Sequence, residues 1–77
     1  MQLKEIKLLF GAGDLLACVI VPAPLSGGFN MQFRRYKKPD VFLYSQRDKA
    51  SPQLFKSVNY ALKTAKDIGF EEVKVRF

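Results

Sequence analysis

Arg34, Arg35, Tyr36, Lys37 and Lys38 put four bases around one aromatic ring in five consecutive residues, and Arg47 and Lys49 follow a short stretch later. Lysine and arginine donate to phosphate oxygens, and a tyrosine ring offers a face on which a base can stack. Lys56 extends the series; it shares one side of an expected helix with Lys63 and Lys66, at spacings of seven and three. From Arg34 to Lys66 the only acids are Asp40 and Asp48, so the charge imbalance is local. The candidate binding set is therefore Arg34, Arg35, Tyr36, Lys37, Lys38, Arg47, Lys49 and Lys56. A solvated turn kept soluble by its charge is the plain alternative for such a cluster.

The whole chain has 77 residues, with 13 Lys and Arg against 7 Asp and Glu, and no histidine. That balance points to a polyanionic partner and supplies little for acid–base or nucleophilic catalysis. Cys18 is the single cysteine and lies inside the apolar run Leu15–Val21, where a thiol acts as a small core hydrophobe. With no histidine and scattered carboxylates, neither a catalytic site nor a metal site or cofactor is expected. Gly11-Ala12-Gly13 lacks the third glycine of a dinucleotide loop and the Gly-Lys-Ser/Thr of a phosphate loop. It reads as a turn. No stretch reaches the roughly 18 apolar residues of a membrane span, and no signal-peptide pattern opens the chain. A soluble, cytoplasmic protein is expected.

Hydrophobic residues at 48% and charged residues at 26% describe one globular domain, residues 1–77. Ile6, Leu8 and Phe10 alternate with Glu5, Lys7 and Leu9 and predict a first strand, which Gly11–Asp14 turns into the apolar strand Leu15–Val21. Pro22-Ala23-Pro24 ends that strand, and Leu25–Gly28 is a flexible connection. Phe29, Met31 and Phe33 then alternate with Asn30, Gln32 and Arg34, the clearest strand in the chain. A turn at Lys37–Asp40 leads to a fourth strand beginning Val41–Tyr44. From Ser51 the period changes to about 3.6: Phe55, Val58, Leu62 and Ala65 form a stripe, with Ser51 as N-cap, Pro52 in the first helical position and Gly69 just past the end. Val73, Val75 and Phe77 give a last strand. The expected class is α+β, a small antiparallel or mixed sheet in the order β-β-β-β-α-β with one helix packed on one face. One helix would leave apolar surface uncovered, so a homodimer is expected.

Leu43-Tyr44-Ser45-Gln46-Arg47, a short turn, Leu54-Phe55-Lys56-Ser57 and a helix closing in Ile68-Gly69-Phe70 before a Val-x-Val strand resemble a segment of small accessory proteins of plasmids and other mobile elements. The resemblance covers about the C-terminal half, and its sheet-then-helix order also looks like that of integrase arm-binding domains. It implies a setting in mobile DNA. The leading expectation is a small non-enzymatic nucleic-acid-binding module that contacts phosphates through a basic hairpin, on DNA or RNA. The alternative is a protein-interaction module, an inhibitor or adaptor, docking on an acidic partner protein.

Overall fold

The computed structural model describes residues 1–25 and 27–77 and has the order α1 (Leu3–Gly11), β1 (Leu15–Pro22), β2 (Phe29–Arg35), β3 (Lys38–Phe42), α2 (Val58–Ile68) and β4 (Lys74–Val75). The sheet runs β3-β2-β1-β4, antiparallel except for the parallel β1/β4 pair. This is the expected α+β class with a mixed sheet, but with two helices. Both contribute to one core, Ile6 of α1 and Ala61, Ala65 and Ile68 of α2 packing with Cys18, Ile20, Met31 and Phe33 of the sheet. No helix of the described residues is long and apolar enough to cross a membrane.

The first expected strand is a helix. Leu3, Ile6 and Phe10 recur at helical spacing and turn inward, whereas Leu8, assigned to the core by alternation, is 67% exposed. Glu5 Oε1 accepts from the Gln2 backbone N–H at 3.2 Å and holds the first turn. Gly11–Asp14 is accordingly no hairpin but a helix stop. Gly13 takes φ 77°, its N–H donates to the Phe10 carbonyl, and the Asp14 N–H donates to the Leu9 carbonyl, which together close the end of α1. α1 thus adds a second helix to the core face beside α2, where one alone was expected.

The second helix begins later than its periodicity predicts. Ser51 donates its hydroxyl to Asp48 Oδ2 in a turn, and Pro52 pairs with Tyr44 in an isolated bridge. Phe55 and Phe29 exchange backbone hydrogen bonds, both 2.8 Å, so the segment is held extended. Phe55 still reaches the core, from a bridge rather than from a helix stripe. The N-cap is Ser57, whose Oγ accepts from the Tyr60 N–H. The turn expected at Lys37–Asp40 is tighter, and Lys38 already pairs with Arg35. Pro39 sits on the outer strand, where its missing N–H costs no ladder bond. At the C-terminus the strand is Lys74–Val75, and the Arg76 N–H continues the ladder to the Ile20 carbonyl.

Gly69 ends α2 as expected, at φ 130°. A Cβ there would stand 2.5 Å from the Phe10 ring, so the position is closed both by backbone conformation and by α1. Phe70 folds back, edge-on to Phe10 at 4.9 Å and stacked on Phe33 at 5.8 Å. Gly69→Val is predicted to cost about 2 kcal/mol or more, since a β-carbon strains the backbone and meets the ring. Lys63→Val, on the exposed side of α2, is predicted to cost only a few tenths of a kcal/mol. Urea unfolding of the two variants checks the order, and a larger loss for Lys63→Val would contradict it.

Candidate nucleic-acid interface

Strand alternation decides which side chains share a face. In β2, Met31 and Phe33 point to the helices and are fully buried, which leaves Asn30, Gln32 and Arg34 on the opposite side. Their directly opposed partners on β1 are Val21, Val19 and Ala17, and across β3 Gln32 faces Phe42. Lys74 stands beside Val19. Arg76 comes next on that side, beyond Val75. Among the described residues no helix lies on this face.

Arg34, Lys74 and Arg76 are exposed; Arg34 and Lys74 stand on either side of β1, one two-residue step of about 6.6 Å apart along it and two strand spacings, about 9.6 Å, apart across it, and Arg76 follows Lys74 one such step further on. The Arg35–Asp14 bridge is the one ion pair among the described residues, so none of these three cations has a carboxylate partner within bonding distance. Between them, Gln32 Nε2 donates to Asp40 Oδ2 at 2.9 Å, which fixes both side chains on the open surface. Val19 lies under this polar cover at 3% exposure. Stems of long polar side chains shield apolar surface in this way while keeping their heads in water.

The hairpin at the end of β2 divides the expected basic cluster. Arg35 faces the helix side, and its Nε and Nη2 donate to the two carboxylate oxygens of Asp14 at 3.0 and 2.5 Å. The Tyr36 N–H donates to the Asp14 carbonyl at 2.9 Å. Asp14 thus clamps the hairpin to the start of β1 through side chain and backbone together, and Arg35 positions the site instead of serving as a free phosphate donor. Tyr36 is 58% exposed at the turn, Lys37 holds φ 55°, and the Lys37 ammonium lies 5.3 Å from the Tyr36 ring centre. Lys37 and Lys38 are exposed at the tip, and Arg34 rises beside them on the open face.

Arg47, Lys49 and Lys56 do not join this group. Arg47 and Lys49 lie in the loop after β3, past the end of a strand that runs about 13 Å from the tip, and Lys56 follows Phe55, which bridges to the first residue of β2. All three belong to the opposite end of the sheet. Arg47 lines a polar cleft of about 610 Å³ on the helix side with Lys7, Tyr60 and Asp67. Lys74 and Arg76, absent from the expected set, enter the open face because β4 pairs in parallel with β1. Their alternation with Val73, Val75 and Phe77 is visible in the sequence, but the neighbour of that strand is not.

Cys18 faces the core, and burial pushes its thiol up to about 12. Among the described residues no group of three or more His, Cys, Asp or Glu is arranged to hold a metal ion. No family model, curated protein or solved structure matches this chain.

The Asp14 clamp has a pH signature. The hydrogen bonds from Arg35, assisted by its charge, hold the Asp14 carboxyl below the usual range. A depressed folded-state pKa means that the unfolded chain binds the proton more readily, so the clamp stabilises fully above the unfolded value and is lost as pH falls through the folded one. The stability difference between the native chain and Asp14→Asn is therefore predicted to stay constant above about pH 5 and to shrink as pH falls below about 4. Urea unfolding across that range measures it, and a difference that persists undiminished at the acid end would contradict the clamp.

Proposed function

We propose that this chain is a non-enzymatic nucleic-acid-binding module that receives its ligand on the open face of the sheet and at the hairpin tip. Arg34, Lys74 and Arg76 take phosphates along the face, Lys37 and Lys38 take them at the tip, and Tyr36 offers a ring beside them. The observation that carries this reading is the bare sheet face whose three cations have no carboxylate partner among the described residues. A net charge of +6 supplies long-range attraction for any polyanion, and the face gives that attraction a surface. Asp14 spends Arg35 on holding the hairpin, so the tip meets its ligand already ordered and less entropy is lost on binding. The setting in mobile DNA implied by the C-terminal segment is one in which such a module is at home.

Counter-ion release supplies the test. Arg34→Gln, Lys37→Gln and Lys38→Gln together remove three phosphate contacts, so the slope of log affinity against log salt is predicted to fall by roughly two to three units on a generic oligonucleotide. Lys63→Gln with Lys66→Gln, on the exposed side of α2, is predicted to leave the slope unchanged. A slope unchanged in the triple variant would remove the hairpin from the interface. Failure to bind any nucleic acid, together with nuclease-resistant capture of an acidic protein, would replace the reading with the protein-docking alternative.

A further inference from the structure

At the end of the open face away from the hairpin, the sheet surface sinks into a cleft of about 530 Å³. That volume falls within the roughly 300–1,000 Å³ of clefts that take small organic groups. Val21, Pro24, Phe42, Pro52 and Leu54 line it, with Asn30, whose polar side chain is only 8% exposed. Asn30 Nδ2 donates to the Gln53 carbonyl at 3.0 Å. A carbonyl only accepts, so the atom facing it must be the amide nitrogen, and this fixes the orientation of the side chain. Oδ1 is then left without a donor among the described residues. Since no fully buried side-chain oxygen or nitrogen lacks a partner there, this oxygen retains some contact with solvent, and Asn30 lines the cleft.

An apolar cleft with one oriented acceptor suits a flat group that carries a hydrogen-bond donor on its edge. Phe42 contributes an aromatic ring to the lining of the same cleft. The approach to the cleft is cationic, because Asn30 pairs with Val21 across β1 and Arg76 follows Lys74 along the neighbouring strand. We infer that the cleft receives one unpaired nucleobase, stacked on Phe42 and donating its exocyclic amine to Asn30 Oδ1, while Arg76 and Lys74 hold the adjoining phosphates. This rests on the proposed binding face and makes its ligand single-stranded. A duplex keeps its bases stacked within the helix and presents none to such a cleft, whereas an open strand can turn one out.

Three labelled probes of equal length test the inference on the full chain at one fixed low salt concentration: a single-stranded oligonucleotide, the same strand with abasic residues throughout, and a blunt duplex. The base-bearing single strand is predicted to bind roughly tenfold more tightly than the abasic one. Phe42→Leu keeps an apolar side chain but removes the ring, and is predicted to abolish most of that preference while leaving abasic affinity unchanged. A 2-aminopurine in the native strand should change fluorescence on binding the native chain and not on binding Phe42→Leu. Equal and measurable affinity for base-bearing and abasic strands would overturn the base cleft and leave the phosphate-binding face standing. Absence of binding to all three probes would overturn both. If the chain sediments as a dimer that Phe42→Leu dissociates and that no oligonucleotide affects, the cleft belongs to a second copy and the inference fails.

Discussion

Ala61 and Ala65, both fully buried, let α2 lie close against the sheet over Phe33, Met31 and Ile20, and this single packed layer is the constraint on which everything else depends. A chain of 77 residues gains a margin of only roughly 3–5 kcal/mol from one core, so it cannot afford two. Truncating a buried phenylalanine such as Phe33 would cost a comparable amount, about 3–5 kcal/mol. Both helices therefore sit on the same side. The other face of the sheet is left bare, and it is there that Asn30, Gln32 and Arg34 stand.

The same economy explains the fixings at the margins of the core. Phe70 stacks on Phe33 and meets Phe10 edge-on, tying the end of α2 to α1 and to the sheet. Asp14 fastens the β2–β3 hairpin to the end of α1. At the far end, Phe29 and Phe55 join the segment before α2 to the first residue of β2, and the Met1 ammonium donates to the Phe42 carbonyl at 3.0 Å. Each contact links segments distant in sequence. The open face is accordingly held from behind at both ends, which suits a surface that binds without reshaping itself.

What could be read from the sequence was what is local. The alternation of Phe29, Met31 and Phe33 identified β2 and the exposure of Arg34, and Gly69 marked the end of α2. The N-terminus went wrong because Ile6 and Phe10 fit both periods and Leu8 favoured the strand; Leu3, with Gly13 as a helix stop, carried the helical signal. Ser51 and Pro52 have the chemistry of a helix start, yet pairing of their segment with Leu43 and Phe29 holds it extended, and a local pattern cannot anticipate a long-range ladder. The site divided in the same way. Arg34, Tyr36, Lys37 and Lys38 were legible as a cluster, but the partner of Arg35 lies 21 residues away, and Lys74 and Arg76 join the face only through the parallel pairing of β4 with β1.

The central claim is that the face left bare by the single core is the ligand surface. Amide chemical-shift mapping during titration with a short single-stranded oligonucleotide tests it most directly. The account predicts salt-sensitive shifts at Val19, Val21, Gln32, Arg34, Lys74 and Arg76 and at the Tyr36–Lys38 turn, with the exposed side of α2 around Lys63 undisturbed. Shifts confined to the two helices and the Arg47 loop, with the open sheet face silent, would contradict it.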